Sequence, residues 1–225
     1  MKRISILQSN YIPWKGYFDI IGKSDIVVFY DDVQFTKNDW RNRNIIKSPN
    51  GLSWLSIPCG SNIRRLICDV IINDLDWQKS HFDKIFWCYK SAPYFKYFKD
   101  FISEIYLNNQ WTHLSEINQY IIKLISKEIF GFKTIFDDSR KYNLTLKGSG
   151  RVIELLKQLN ATHYLSGPSG SNYLVESNFL NNNINLEYID YSNYKEYPQL
   201  YPPFVHNVSV IDLIFNVGYD SKYYL

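Results

Sequence analysis

The sequence predicts an α/β protein with a mostly parallel sheet, and three observations support that prediction. A short apolar run over residues 4–7 is followed by a helical spacing and then by the unbroken apolar run 25–30. Strand and helix patterns alternate again after residue 133. Continuous apolar strands are typical of parallel sheets that are covered on both faces. The 225 residues fit a single domain, 1–225, in which helices over about 74–130 form an insertion.

The first strand, helix and strand form the most clearly marked unit of the chain. Pro13 suits the first turn of a helix, and Trp14, Phe18 and Ile21 recur at helical spacing. Gly22 can then end the helix. The pattern predicts a minimal βαβ unit at the N-terminus.

The remaining elements follow from periodicity and from turn residues. Ser48-Pro49-Asn50-Gly51 is a turn signal, and it predicts a β-hairpin whose second strand covers 52–57. Further strand patterns cover 66–72, 134–136, 163–165 and 186–189. The first helix after the hairpin begins near Asp74 or Asp76 and runs toward Tyr89. Further helix patterns cover 94–106, 114–129, 149–159, a segment ending at 181–183 and an amphipathic final helix near 209–215.

Composition and charge narrow the class of protein. Hydrophobic residues make up 45% of the chain and charged residues 21%, which predicts a folded domain. The net charge of +3 is spread along the chain, so no nucleic-acid surface is predicted. No signal segment and no run of about 18 apolar residues is present, which predicts a cytoplasmic protein without a transmembrane segment. The oligomeric state stays open.

Cysteine and histidine spacing predicts no metal site. The cysteines are odd in number and lack CxxC spacing, so neither a disulfide framework nor a zinc site is expected; they are Cys59, Cys68 and Cys88. HxxxH and HExxH patterns are absent from the sequence.

Three polar clusters follow strand candidates, and the sequence predicts that they share one cleft. They cover 8–17, 31–43 and 166–173. In parallel sheets the ligand crevice lies outside the carboxyl ends of the strands, where loops and helix N-termini converge. For any one cluster, a turn or capping role explains the same residues.

Three residues are candidates for catalysis. Asp31 and Asp32 directly follow a strand, and because side chains alternate, only one of them is expected to point into the crevice as a general base or hydroxyl acceptor. His81, on a helix near Trp77 and Trp87, could move a proton near neutral pH. The alternatives are an Asp pair that ends the strand and a structural histidine.

The candidates for substrate binding are mainly amide and aromatic side chains. Aromatic residues make up 17% of the chain, which suits either stacking surfaces for sugars or a core built from rings. Gln34 would bind a neutral polyol, Arg43 would anchor a phosphate or carboxylate, and the Ser166-Gly167 turn would offer backbone N–H groups to phosphate. An ordinary strand-to-helix turn explains the Ser166-Gly167 segment equally well, because no P-loop motif is present. The complete set is Gln8, Asn10, Tyr11, Trp14, Gln34, Trp40, Asn42, Arg43, Ser166, Gly167 and Tyr173.

Several of these motifs resemble the WbqC-like family over nearly the full chain. The resemblance lies in the run 6–18 and in 31–35 and 40–44, with further matches at Asn50-Gly51, Trp54-Leu55, His81, Ala92-Pro93-Tyr94-Phe95, Leu165-Ser166-Gly167, Tyr173-Leu174, Tyr197-Pro198-Gln199, Ser209 and Asp212. Ser9 stands where the family pattern has proline. The resemblance implies a bacterial protein encoded in O-antigen or capsule gene clusters, in a family without a settled reaction.

A second resemblance suggests a fold. The chain is similar to pantoate-β-alanine ligases in the order of its elements: a strand, a Pro-x-x-Gly-aromatic helix, a second strand, the pair Gln34-Phe35, and later a Ser-Gly pair with Asn172-Tyr173-Leu174. That resemblance implies a nucleotidylyltransferase-like, Rossmann-related fold and the use of ATP to activate a carboxylate. The HxGH motif of those enzymes is replaced here by the run 13–17, which lacks both histidines. Nucleotidyl transfer by imidazoles at that motif is therefore not expected.

These observations lead to one functional hypothesis and two alternatives. The hypothesis is an enzyme of surface-polysaccharide biosynthesis that modifies a nucleotide-linked amino sugar by amide formation, as an N-acyl or aminoacyl transferase or an ATP-dependent ligase. The cofactor stays open between ATP and an acyl donor such as acyl-CoA. The alternatives are a glycosyl or nucleotidyl transferase and a non-catalytic sugar-binding scaffold.

Overall fold

Seven strands and seven α-helices make up the computed structural model, which describes residues 1–74 and 76–225. The strands are β1 (Arg3–Leu7), β2 (Ile26–Phe29), β3 (Arg43–Ser48), β4 (Gly51–Ser56), β5 (Ile135–Asp138), β6 (His163–Ser166) and β7 (Asn185–Tyr188). The helices are α1 (Lys15–Gly22), α2 (Trp77–Tyr89), α3 (Phe95–Tyr106), α4 (Leu114–Leu124), α5 (Gly148–Gln158), α6 (Glu176–Leu180) and α7 (Val210–Val217). Within the described residues, no helix is long and apolar enough to cross a membrane.

The main sheet is parallel and has the strand order β5-β2-β1-β6-β7. Its topology reverses between β1 and β6, because the chain moves outward from β1 in one direction and then returns to its other side. In doubly wound sheets of this kind, ligands bind near that switch point, at the carboxyl ends of the strands. This arrangement confirms the predicted α/β class with a mostly parallel, Rossmann-like sheet.

The strand β2, which lies between β5 and β1, shows why its sequence is continuously apolar. Val27 and Phe29 pack into the core on the side of α1 to α4 and α7, whereas Ile26 and Val28 pack into the core on the side of α5. Successive side chains of a strand point to opposite faces, so a strand covered on both faces needs apolar residues throughout.

The long connection between β2 and β5 contains the hairpin β3–β4 and the helices α2, α3 and α4. Helix α4 continues into a π-helical turn over Ile125–Ile129. These helices occupy the segment predicted as an insertion at about 74–130, of which residue 75 lies outside the described residues. The hairpin turns at Pro49-Asn50 and uses Gly51, whose φ of 101° suits glycine.

One predicted strand was wrong, and the predicted final helix is present but more buried than a surface helix. The expected strand over 66–72 is a 3₁₀ turn, Ile67–Asp69, because its backbone bonds to two different segments: Ile67 N–H donates to Val33, and Val70 C=O accepts from Leu114. The last helix is not amphipathic at the surface. Residues 210–216 of α7 are all buried, and its polar side chains find partners inside the protein.

Asp212 on α7 is the centre of a buried polar cluster. Its carboxylate accepts hydrogen bonds from Tyr89 Oη at 2.8 Å, Tyr197 Oη at 2.9 Å and Gln199 Nε2 at 2.9 Å. Burial raises the pKa of Asp212. The Tyr89 hydroxyl also accepts from the backbone N–H of Lys47 at 3.0 Å, so it ties α2 to both α7 and β3.

We expect Tyr89→Phe to lower the free energy of unfolding by roughly 1–3 kcal/mol, because it leaves a buried N–H and a buried carboxylate each short of one partner. Urea denaturation at neutral pH measures the change. Tyr219→Phe is the control, since Tyr219 is 62% exposed. Equal stability of the two variants would mean that the Tyr89 hydroxyl does not stabilise the fold.

Candidate functional site

The polar loop after β1 lies against the segment that precedes and begins β3. The backbone N–H of Tyr11 donates to the C=O of Trp40 at 2.9 Å. Asn44 Nδ2 donates to the C=O of Tyr11 at 3.0 Å and of Ile12 at 2.9 Å. The first two predicted clusters therefore meet in space, as the sequence predicted.

A second set of side chains fixes the same two segments. The Arg41 guanidinium donates to Gln8 Oε1. Asn118, buried on α4, donates to the C=O of Arg41 at 2.8 Å and to that of Ser9 at 3.3 Å. Gln8 therefore uses its amide oxygen within the protein.

Ile12 has a strained backbone at this junction. Its φ is 34°, in the left-handed region that β-branched residues rarely occupy. The two hydrogen bonds from Asn44 hold the carbonyl groups on either side of this turn. Strain of this kind persists where the surrounding structure fixes it, and it is common at functional sites.

A cavity of about 480 Å³ opens between these segments. The residues that line it carry no charge: Asn10, Pro13, Trp14, Trp40, Asn44, Ile45 and Asn207. Asn10 Oδ1 is buried and has no hydrogen-bond partner among the described residues. Indole rings beside amide groups suit a ligand that has apolar faces and hydroxyl groups at its edges.

Trp14 is oriented by a glycine two residues later. A Cβ atom on Gly16 would lie 2.3 Å from the Trp14 ring, so the indole packs where any other residue would place its side chain. The ring also contacts the edges of Tyr191 and Tyr194, at centroid distances of 4.8 and 5.8 Å. This packing gives the Pro-x-x-Gly spacing a physical reason.

Arg43 lies beside an aromatic pair at the margin of the cavity. Its guanidinium carbon is 4.3 Å from the centroid of the Trp54 ring. The Trp54 and Trp40 rings are 5.9 Å apart, and both residues are partly exposed, at 42% and 43%. A positive charge is therefore available next to an otherwise neutral cavity.

Asp31 is fully buried, and both of its carboxylate oxygens have partners. Oδ1 accepts from the backbone N–H of Ser9 at 2.8 Å, and Oδ2 accepts from Gln119 Nε2 at 2.9 Å. Burial raises the pKa of Asp31. The residue links the loop after β1 to α4.

Asp32 points to the opposite side of the sheet, toward α5. It forms an ion pair with Arg151 and accepts from Ser139 Oγ at 2.5 Å. Its side chain keeps 15% of its surface exposed. As the alternation of strand side chains predicted, the two carboxylates do not share one face.

His81 lies in a buried aromatic cluster and not on an open surface. It is 6% exposed, and its Nδ1 is 2.7 Å from Tyr11 Oη, which in turn bonds to Tyr106 Oη. The Trp77 ring meets the imidazole edge-on at 5.1 Å. Burial lowers the pKa of His81 to about 4, so the ring is neutral at pH 7. The Tyr11 side chain belongs to this cluster.

Two other predicted residues lie away from the cavity lining. Gln34 forms an isolated backbone bridge with Leu66. Asn42 is buried and donates to the C=O of Ile57 at 3.1 Å, while its Oδ1 has no partner among the described residues.

The third predicted cluster follows β6 at the same edge of the sheet. Ser166 is buried, its Oγ donates to the C=O of Gly167 at 3.2 Å, and a Cβ atom on Gly170 would meet that Oγ at 2.3 Å. Tyr173 is 64% exposed. The cavity lining does not include Ser166, Gly167 or Tyr173. These residues are related to the first two clusters only because β6 lies next to β1 in the sheet.

Sequence reasoning missed several residues that build the site. Asn118 and Gln119 hold the loop and Asp31 from α4, Asn207 lines the cavity from the C-terminal segment, and Trp54 supports Trp40. Asn44 was visible only as part of a polar run. Amide residues on a helix or in a loop carry no sequence signal that separates them from solvated positions.

Together, the fold and the cavity define a Rossmann-like α/β protein with a neutral, aromatic and amide-lined site beside the switch point of its sheet. The chain belongs to the WbqC-like protein family, whose sequence model matches residues 8–224. Membership of that family implies a protein related to polysaccharide gene clusters.

One relative matches the chain from end to end. It is the uncharacterized protein Rv1507c of Mycobacterium tuberculosis, which is 39% identical over 227 residues that cover 100% of this chain and 98% of the relative. No solved structure matches the chain with statistical significance.

The burial of His81 generates a prediction about pH. Because its pKa is lowered to about 4 from 6.5, the folded state binds a proton less readily than the unfolded state. His81 therefore contributes stability that is present above pH 6.5 and is lost as the pH falls toward 4. We expect the loss to reach about 3 kcal/mol.

Urea unfolding of the natural protein and of His81→Gln between pH 7 and 4 measures this contribution. The natural protein should lose more stability on acidification than the variant does. His113→Gln, whose side chain is partly exposed, is the control and should keep the natural pH dependence. Identical slopes for all three proteins would contradict the burial argument.

Proposed function

We propose that this protein forms an amide bond on an amino sugar, as a cytoplasmic enzyme of bacterial surface-polysaccharide (O-antigen type) biosynthesis. The observation that carries the proposal is the uncharged cavity lined by two indoles and three amides. Membership of the WbqC-like family supports the pathway. A nucleotide-linked amino sugar is the proposed substrate.

The proposed binding mode assigns each side of the cavity a task. Trp14 and Trp40 contact the apolar face of the sugar ring, while Asn10 and Asn44 bind its hydroxyl groups. Asn10 is suited to this task because it lines the cavity and its Oδ1 has no hydrogen-bond partner among the described residues. Arg43, at the cavity margin, binds a phosphate of the nucleotide.

The proposed reaction joins the amine of the sugar to an acyl group. The amine nitrogen attacks the acyl carbonyl carbon, a C–N bond forms, and the bond from that carbon to the sulfur of an acyl thioester breaks. The thiolate leaves, and the amine loses one proton to a base. In the ATP-dependent route, a carboxylate oxygen first attacks the α-phosphate of ATP and pyrophosphate leaves. The amine then attacks the carbonyl carbon of the acyl adenylate, and AMP leaves in place of the thiolate.

Asp32 was predicted to be catalytic, but it pairs with Arg151 on the opposite side of the sheet from the loop that lines the cavity. In this proposal water therefore accepts the proton of the amine. Asp31 and His81 are buried, and we assign them positioning roles, because they hold the loop that carries Asn10 through Ser9 and Tyr11.

A specific observation favours a second candidate function. None of the residues that line the cavity has a side chain that titrates near neutral pH. A sugar-binding protein without catalysis needs no such group.

Incubation with nucleotide-linked amino sugars, together with either acyl-CoA thioesters or carboxylates plus ATP, tests the proposal by the mass of the product. The natural protein should add the mass of an acyl group to the sugar. Trp40→Ala should raise KM about tenfold, because it removes one stacking face. Tyr188→Ala is the control, since Tyr188 is exposed to a similar extent, 40%, in β7.

The other outcomes separate the alternatives. Saturable sugar binding without any change in product mass would reject catalysis and favour the binding protein. Release of free nucleotide or pyrophosphate without acylation would instead favour a glycosyl or nucleotidyl transferase.

Gly16→Ala should weaken sugar binding without unfolding the protein, because the added Cβ atom must displace the Trp14 indole. Calorimetric titration with the nucleotide-linked amino sugar measures the change, which we expect to be about tenfold in Kd. Gly150→Ala on α5 is the matched control, since its added Cβ atom would meet Leu146 at an ordinary 3.5 Å. Unchanged affinity in Gly16→Ala would remove Trp14 from the binding mode.

A further inference from the structure

One end of the molecule carries a concentration of exposed aromatic side chains. Among the described residues, nine aromatic side chains are exposed. Five of the nine lie near the end of α2, the beginning of α3 and the segment that follows α7. These five are Trp87, Tyr94, Tyr97, Tyr219 and Tyr223. With the four lysines described below, we call this surface the aromatic–lysine end.

The aromatic–lysine end is held by the core beneath it. The backbone N–H of Tyr94 donates to the C=O of Phe215 at 2.9 Å, and the Tyr94 ring covers Gly218. Tyr219 packs on the buried ring of Phe98 at 5.1 Å. The exposed rings therefore stand on ordered helices and are not carried by a loose loop.

Lysines are interleaved with these rings. Lys90 lies 3.8 Å from the Trp87 ring centroid, Lys96 lies 5.0 Å from that of Tyr97, and Lys222 lies 5.0 Å from that of Tyr223. Lys99 is also exposed on α3. The exposed acidic residues nearest in sequence are Asp100 and Asp220, so cations outnumber anions on this surface.

This composition distinguishes between two kinds of partner. Protein interfaces are enriched in aromatic residues but depleted in lysine. Tyrosine, tryptophan and lysine together are typical of surfaces that rest on a lipid headgroup layer, because the rings have an apolar body and a polar edge, and the ammonium groups reach the anionic headgroups.

We propose that the aromatic–lysine end docks the protein on an anionic membrane surface. The rings enter the headgroup region, and the lysines bind lipid phosphates. Each lysine close to an anionic membrane strengthens binding about fivefold, so four produce reversible binding and no insertion of a helix is needed. The proposal is independent of the reaction in the cavity.

Sedimentation with lipid vesicles tests this on the full chain. The protein should bind vesicles of phosphatidylcholine mixed with phosphatidylglycerol, bind phosphatidylcholine alone at least tenfold more weakly, and lose affinity as salt is added. The double variant Lys90→Gln/Lys96→Gln should weaken binding to the anionic vesicles about tenfold or more. Lys127→Gln/Lys147→Gln removes the same charge elsewhere and should weaken binding less.

A second pair of variants tests the rings. Tyr97→Ser should reduce vesicle binding, whereas Tyr173→Ser should not, although both tyrosines are 64% exposed. Absence of binding to anionic vesicles would overturn the proposal, and so would binding that is equal in both lipid mixtures. Concentration-dependent self-association that Tyr97→Ser abolishes would assign this end to a second copy of the chain instead.

Discussion

The structure of the site depends on how the buried loop after β1 satisfies its backbone polar groups. A loop at the centre of a sheet edge cannot reach water, and each unpaired N–H or C=O there would cost free energy. Distant side chains supply the partners: the Asp31 carboxylate for Ser9 N–H, Asn118 for Ser9 C=O and Asn44 for the carbonyls of Tyr11 and Ile12. Because these groups come from three separate segments, the loop, the hairpin and α4 are fixed relative to one another.

This constraint explains the character of the cavity. Asp31, Asn118 and Asn44 use their side-chain groups in hydrogen bonds to the loop after β1. Ile12 is held in a conformation that it would not adopt alone. What remains at the surface is a neutral wall of indoles and amides, with Arg43 at its margin. Charged groups stand on other sides of the carboxyl edge, where Asp32 pairs with Arg151. The cavity therefore offers a shaped surface, aromatic rings and neutral hydrogen-bonding groups.

Part of this could be read from the pattern of residues. The run 25–30 predicted a strand covered on both faces, and Gly22 and Gly51 marked the end of α1 and the turn of the hairpin. Polar clusters after β1 and β2 predicted two segments that indeed meet. Local patterns failed where the partners are distant: the segment 66–72 divides its hydrogen bonds between two neighbours, and α7 buries Asp212 because two tyrosines and a glutamine reach it.

The sequence by itself determined the class of fold, the edge of the sheet at which the polar loops lie, the two segments that meet there and the family. These depend on periodicity, turn residues and strand order, which are local or topological properties. Only the tertiary structure decided that Asp31 and Asp32 face opposite sides and that His81 is buried and neutral. It also decided that Asn44, Asn118 and Asn207 belong to the site. Burial and hydrogen-bond pairing depend on residues that are far apart in the chain. The sequence therefore cannot distinguish an aspartate, histidine or asparagine that is a structural partner from one that is exposed and binds a ligand.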